Sequence, residues 1–110
     1  MKLISSLVRP DKLDDVKRAL HRVQVFGFEV AEMHDHAPQK RETTVWMGHE
    51  YSLGFSLKLQ IHVVVHDDDV DQVVSAIIET ARTGCEGDGH VLVLPVEHRY
   101  SIRDGLRGIS

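Results

Sequence analysis

Residues 56–84 constrain the fold more than any other part of the chain. In "SLKLQIHVVV", apolar side chains alternate with Lys58, Gln60 and His62, the pattern of a strand with one buried face. "HDDDVDQVVSAIIETARTG" follows directly and has helical periodicity, with aspartates at its start and Gly84 as its predicted C-terminal cap. The predicted buried sets are Leu57, Leu59, Ile61, Val63 and Val65 on the strand and Val70, Val73, Val74, Ile77, Ile78 and Ala81 on the helix.

A similar strand and helix occur at the start of the chain. "MKLISSLVR" is a strand candidate that ends before Pro10, and "VFGFEVAEMH" and "HVLVLPV" supply a second and a fourth strand. The first helix is indicated by apolar residues at spacings of three and four, namely Leu13, Val16, Leu20 and Val23. The order βαββαβ predicts an α+β, ferredoxin-like fold, with two helices on one face of an antiparallel sheet.

The helices of such a fold leave the other sheet face uncovered. We expect this face to carry apolar residues such as Val8 and Val64. Burial against further copies in closed cyclic symmetry is the usual outcome for such a face, which predicts an oligomer.

Composition indicates one domain over residues 1–110, with residues 97–110 as a C-terminal segment. The chain has 13 Lys and Arg residues, 17 Asp and Glu residues and a net charge of -4, without a basic stripe, so we expect no nucleic-acid partner. A single cysteine and the lack of a signal-like or membrane-spanning segment favour a cytoplasmic protein.

Residues 37–55 make a long connection between the second and third predicted strands. Connections of this length without their own structure are usually functional or disordered. Val45, Trp46 and Met47 form an apolar group that favours a partner surface. We therefore expect this loop to be disordered or variable in the free protein and to contact a target protein.

The loop begins beside a cluster of metal-ligating residue types. His34, Asp35 and His36 are consecutive, and on a strand the two imidazoles would point the same way, with His62 on the paired strand as a neighbour. Such ligands suit Zn, Cu or Ni better than Mg. Exposed histidines that titrate near neutral pH are the alternative interpretation.

Three glycines lie at or after the end of the second predicted helix. Gly84, Gly87 and Gly89 lie in "TGCEGDGH", before the fourth strand. A helix cap and a turn explain them without a ligand. The alternative is that they allow backbone amides to approach an anion.

Several motifs together resemble the PII family of nitrogen-regulatory signalling proteins, of which the chain would be a divergent member. They are "MKLI", "RPDKLDDVKRAL", "QK" at 39–40, "GHEY" ending at Tyr51, "ARTGCEGDG" and "VLPVE". The resemblance implies a homotrimer of ferredoxin-like subunits whose long loop contacts partner proteins. It also implies adenine nucleotides in the clefts between subunits, with 2-oxoglutarate beside a magnesium-bound ATP at the base of the loop.

The resemblance further implies individual site residues. Gln39 matches a glutamine that contacts magnesium and 2-oxoglutarate, and Tyr51 matches a tyrosine that is uridylylated in many bacterial members. The complete implied nucleotide site is Gln39, Lys40, Lys58, Val64, Gly87, Asp88, Gly89, His90 and Arg103.

The chain departs from the family pattern at several of these positions. Pro38, His90 and Ser101 stand where the family usually has a cation, which predicts that an adenine nucleotide (ATP, ADP or AMP) binds with fewer phosphates favoured than in the usual family member. Met47 replaces an arginine that enters an ammonium channel, so we expect a different target, a transporter or an enzyme.

These observations predict a non-enzymatic signalling protein. An adenine nucleotide between subunits would set the conformation of residues 37–55 and thereby the affinity for a target. The alternative is a metal-responsive protein of the same fold that uses His34, Asp35 and His36. No nucleophile with a nearby base supports an enzyme.

Overall fold

The computed structural model describes residues 1–35, 43–46, 49–52 and 56–108. Six strands and two α-helices are present in these ranges. They are β1 (Lys2–Val8), α1 (Leu13–Arg22), β2 (Glu29–Asp35), β3 (Thr43–Trp46), β4 (His49–Ser52), β5 (Ser56–Val65), α2 (Val70–Ala81) and β6 (His90–Pro95). A 3-10 turn precedes each α-helix, Pro10–Lys12 before α1 and Asp67–Asp69 before α2.

Four of the strands form one antiparallel sheet in the order β2-β5-β1-β6. In the middle of this sheet Ile4 lies opposite Val63 on one side and Val93 on the other. The sheet and the two helices confirm the predicted ferredoxin-like α+β fold.

The core lies between the sheet and the two helices, as the periodicity predicts. Ile61, Val63 and Val65 of β5 are buried, whereas Leu57 is 43% exposed. The reason is the register: Leu59 pairs with Val8, the last residue of β1, so β5 extends past β1 at Leu57. The core cluster comprises Ile4, Val8, Val16, Leu20, Ile61, Val63, Val65, Val73, Ile77 and Ala81.

The face away from the helices is partly as predicted. Val64 lies on it, half-buried, opposite Leu3, and the neighbouring Leu92 and Leu94 are 50% and 40% exposed. The assignment of Val8 to this face was wrong. Val8 is 2% exposed and belongs to the helix-covered core, because it shares the side of β1 that carries Ile4 and Ser6.

The prediction that Gly84 caps the second helix was also wrong. Helix α2 ends at Ala81, and Arg82 is already extended while its amide donates to the Ile78 carbonyl at 3.0 Å. Gly84 lies beyond this point with a φ of +86°, in the turn that leads to β6. Its left-handed conformation therefore shapes that turn instead of the helix end.

Part of the connection between β2 and β5 has secondary structure of its own. Strands β3 and β4 pair antiparallel, with Trp46 opposite His49, and form a sheet separate from the main one. β-branched and aromatic residues at these eight positions favour strand pairing. The expectation that residues 37–55 are disordered or variable in the free protein stays a prediction. The remainder of residues 37–55 lies outside the described ranges.

Candidate functional site

The predicted nucleotide residues divide between the two ends of the main sheet. At the first end, Leu7 of β1 pairs with His90 and Val8 pairs with Leu59. The glycine turn that precedes β6 and the start of β5 with Lys58 therefore lie at this end. So do the chain positions that flank residues 36–55, because Asp35 pairs with Ser56.

Val64 lies towards the other end of the sheet. It pairs with Leu3, which on its other side pairs with Leu94. Leu7 is four positions along the strand from Leu3, which is about 13 Å at a rise of about 3.3 Å per residue. In one protomer Val64 is thus remote from the glycine turn.

Arg103 belongs to a segment that leaves the sheet at this second end. The Val96 amide donates to the Met1 carbonyl at 3.2 Å, and the chain then continues away from β6. Within the described part of the chain, the hydrogen bonds of residues 98–108 join only members of that segment, for example Ser101 to Leu106. Ile102 is fully exposed and Leu106 is 67% exposed. Arg103 is exposed in this segment.

Asp88 organises the glycine turn. Its carboxylate accepts hydrogen bonds from the Thr83 amide at 2.9 Å, from the Gly84 amide at 2.8 Å and from the Thr83 hydroxyl. The Cys85 amide in turn donates to the Thr83 hydroxyl oxygen at 3.2 Å. The turn is thus closed on itself by one side chain.

Arg9 ties this turn to the end of β1. Its Nε donates to Asp88 Oδ1 at 3.0 Å and its Nη2 donates to the Glu86 carbonyl at 2.8 Å. The two charged side chains are 30% and 23% exposed, so the pair is partly shielded from water. The Thr83 hydroxyl, supported by the Thr83 amide, the Arg9 guanidinium and the Gly84 amide, holds the pKa of the Asp88 carboxyl far below its ordinary value.

Two of the glycines are required by geometry. Gly89 has a φ of +100°, and a Cβ at this position would lie 1.7 Å from the Leu7 carbonyl oxygen. Gly87 has a φ of +88° and lies close to Arg9, whose Nη2 would be 3.6 Å from an added Cβ. The turn therefore runs against the end of β1 at a distance that only glycine allows.

A cleft of about 250 Å³ opens beside the turn, between α2 and the strands β1 and β6. Its walls are mainly apolar, and Ile78, which lies 37% exposed on α2, is one of them. Arg82, Asp88, Gly89 and His90 form its polar side.

Lys58 does not line this cleft. It lies on the sheet face away from the helices and is only 4% exposed.

Three of the predicted site residues, His36, Gln39 and Lys40, lie outside the described ranges. Tyr51 is in β4, opposite Thr44, but its side chain is not among the described groups. The proposed modification of Tyr51 therefore stays a prediction.

The metal cluster gains no support from the part of the chain that is described. Within those ranges no group of three or more His, Cys, Asp and Glu side chains could hold a metal ion. The prediction that His62 neighbours His34 was wrong: His62 pairs with Glu29 and His34 pairs with Leu57, five residues away along β5. An odd separation also puts the two side chains on opposite faces of the sheet.

Arg9 and Thr83 are not among the site residues predicted from the sequence. Their roles depend on a contact between the end of β1 and a turn that lies 79 residues later in the chain. One signal was available, since Arg9 is a charged residue at a strand end immediately before Pro10.

The family model for "Nitrogen regulatory protein P-II" matches residues 1–106. Curated proteins of that name are 43% identical over 105 residues in Microchaete diplosiphon and 42% identical over 105 residues in Haemophilus influenzae. Each of these alignments covers 96% of this chain and 94% of the relative. The protein of that name from Azospirillum brasilense is 42% identical over 108 residues, covering 98% of this chain and 96% of the relative.

Proteins of this family are regulatory signal-transduction proteins. Among the described helices of this chain, none combines the length and the apolar character that a membrane crossing needs. With the fold, the glycine turn and near-complete alignment in agreement, the chain belongs to the nitrogen regulatory protein P-II family.

Proposed function

We propose that this chain is a cytoplasmic, homotrimeric sensor that binds an adenine nucleotide between subunits and regulates a target protein through residues 37–55. The ligand site combines the glycine-turn end of one copy with the Val64 and Arg103 end of the next. No catalytic step is part of the proposal.

The separation of the two sheet ends carries this proposal. One protomer holds Lys58 and the turn of Gly87, Asp88 and Gly89 at one end of the sheet and Val64 at the other. Lys58 and Val64 are six residues apart on β5, about 20 Å at a strand rise of about 3.3 Å per residue. This exceeds the length of an adenine nucleotide, so a nucleotide bound at the Lys58 end does not also contact Val64 of the same copy. Cyclic assembly brings unlike ends of neighbouring copies together, so one nucleotide can contact the glycine turn of one copy and Val64 of the next.

The outer sheet face supports the assembly part of the proposal. Leu92 and Leu94 are at least 40% exposed there, beside the half-buried Leu3 and Val64. An apolar strip of this kind is costly in water and is usually covered by a further copy. We expect the three sheets to face one another.

The chemistry of the turn supports an anionic ligand of modest charge. The amides of Thr83 and Gly84 already donate to Asp88, so a phosphate would be bound by amides from Gly87 onwards and by the cations Lys58 and Arg103. Pro38, His90 and Ser101 supply no permanent charge. We expect ADP or AMP to bind more tightly than ATP.

The position of the loop supports its regulation by the ligand. Residues 36–55 leave the sheet after Asp35 and return at Ser56, at the end that carries the glycine turn. A ligand at the turn that prefers one loop conformation shifts the loop by its difference in affinity. The family resemblance implies that Gln39, which lies outside the described ranges, contacts magnesium and 2-oxoglutarate.

Isothermal titration calorimetry of the purified protein tests the proposal. ATP, ADP, AMP and adenosine are titrated separately, and ATP is repeated with Mg²⁺ and 2-oxoglutarate. We expect binding of at least one nucleotide at one site per chain and an affinity that falls about tenfold or more in Arg103→Ala, the size of one charge-assisted contact. No heat of binding with any of the nucleotides would refute the proposed ligand.

A further inference from the structure

We propose that Arg9 and Thr83 are positioning residues that hold the glycine turn, through Asp88, in the conformation that binds a phosphate group. Asp88 is then an organiser of the turn and not a ligand contact. This inference rests on the proposed function, because it takes the anion to be a nucleotide phosphate.

The first argument is how fully the Asp88 carboxylate is engaged. Oδ2 accepts from the amides of Thr83 and Gly84, and Oδ1 accepts from Arg9 Nε and the Thr83 hydroxyl. A carboxylate that accepts three hydrogen bonds from its own turn and a fourth from Arg9 fixes the backbone geometry of that turn. Its remaining capacity to contact a ligand is small.

The second argument concerns charge. A carboxylate in a phosphate-binding turn repels the ligand unless its charge is neutralised. Arg9 neutralises Asp88 at 3.0 Å in surroundings where both side chains are at most 30% exposed. The pair neutralises the Asp88 carboxylate, which lies against the backbone of the turn, so backbone amides and remote cations can attract the phosphate.

The third argument concerns where Arg9 acts. Both of its hydrogen bonds end on the turn, one at Asp88 and one at the Glu86 carbonyl, and its Nη2 would be 3.6 Å from a Cβ at Gly87. A guanidinium suits this task because its planar fork holds two acceptors in fixed positions, which an ammonium cannot do. Arg9 therefore acts on the segment that carries Gly87.

The chain offers a matched control. Arg18 forms an ion pair with Asp15 on α1, and the two side chains are 62% and 47% exposed. Arg18→Ala removes the same charge as Arg9→Ala at a surface site where an ion pair contributes little. Any effect of net charge alone will be equal in the two variants.

The experiment measures calorimetric affinity for ADP and adenosine in the unaltered protein and in four variants. These are Arg9→Ala, Arg9→Lys, Thr83→Val and Arg18→Ala. We expect ADP affinity to fall about tenfold or more in Arg9→Ala, less in Arg9→Lys and Thr83→Val, and not in Arg18→Ala. Adenosine lacks the phosphate, so its affinity is expected to be the same throughout.

A double-mutant cycle tests whether Arg9 acts through Asp88. ADP affinity is measured in Arg9→Ala, in Asp88→Asn and in the variant that carries both changes. If Arg9 acts by holding the Asp88 carboxylate, the second change removes a contact that is already lost, so we expect the two losses of affinity not to add. Additive losses would show that the two residues act independently and would overturn positioning through Asp88.

Hydrogen exchange of the Thr83 and Gly84 amides in the free protein provides the readout that does not depend on a ligand. We expect faster exchange in Arg9→Ala than in Arg18→Ala. Unchanged exchange and unchanged ADP affinity in a folded Arg9→Ala protein overturn the inference while the proposed function stands. Failure of the unaltered protein to bind any nucleotide overturns both.

Discussion

Arg9 and Asp88, 79 residues apart in the chain, form an ion pair at 3.0 Å that joins the end of the first strand to the turn before the last. The same carboxylate accepts hydrogen bonds from the Thr83 hydroxyl, the Thr83 amide and the Gly84 amide. One side chain thus connects the α2–β6 turn with the β1 end.

Acid should weaken the fold through Asp88. The pKa of its carboxyl is lowered from the ordinary value of 3.8, chiefly by the Thr83 hydroxyl, so the stabilisation is fully present above that value and is lost as the pH falls through the lower folded pKa. Asp88→Asn cannot ionise and should not show this loss. Thermal unfolding between pH 2 and pH 6 should give melting temperatures that differ most above pH 4 and converge in acid.

The N-terminal ammonium gives Asp67 a lowered pKa as well, through their contact at 2.6 Å. Asp67→Asn therefore serves as a separate control for that carboxyl. A gap between wild type and Asp88→Asn that stayed constant down to pH 2 would contradict the assignment.

Gly89→Ala should be strongly destabilising. The backbone has a φ of +100°, and the new Cβ would lie 1.7 Å from the Leu7 carbonyl oxygen, so the end of β1 or the start of β6 must move. Strain in such a conformation alone costs about 1–3 kcal/mol. Gly27→Ala is the control, because a Cβ added at Gly27 would meet nothing within 4 Å. Equal urea midpoints for the two variants would disprove the close approach.

The outer sheet face should be an interface between copies. Leu94, 40% exposed on this face, becomes a buried charge in Leu94→Asp if the proposed assembly forms. Light scattering at micromolar concentration should give the mass of three chains for the unaltered protein and for the control Glu79→Lys, and a smaller mass for Leu94→Asp. A monomer in the unaltered protein would refute the trimer.

The nucleotide site should be built from two copies. Arg103→Ala and Gly87→Glu are each expected to abolish tight ADP binding, since one removes a phosphate contact and the other puts a carboxylate into the turn. In trimers assembled from equal amounts of the two variants, about one quarter of the interfaces combine an intact turn with an intact Arg103, given random cyclic assembly. Calorimetry should therefore recover about that share of sites. A site contained in one protomer would recover none.

The β3–β4 hairpin should be dispensable for folding. Its two strands pair with each other and not with the main sheet. Deletion of residues 43–50 should leave the mass and the melting temperature of the assembly unchanged and abolish target capture, measured by pull-down with the full-length protein as reference. Loss of the assembly on deletion would instead make the hairpin a structural element.

The main elements of the fold follow from the sequence. Alternation in residues 56–65 and helical spacing in α1 and α2 predicted core residues such as Ile61, Leu20 and Ile77, because burial on one face of a strand or helix requires these periods. The same patterns also predicted burial of Leu57 and Ile78, which was wrong, since both are exposed. The glycine turn was also visible in the sequence. The sequence did not decide between a simple turn and a turn whose backbone amides bind an anion, because both interpretations require glycines at these positions.

Contacts between distant segments follow from the packing of the whole chain and not from local sequence patterns. Val8 faces the helices and Gly84 shapes a turn, although local pattern alone allowed the other side of the sheet and a helix cap. The partnership of Arg9 with Asp88, and the distance of Val64 from the glycine turn, depend on strand order and register. Strand order is set by packing of the whole chain, so contacts across 79 residues leave no periodic signal in the sequence.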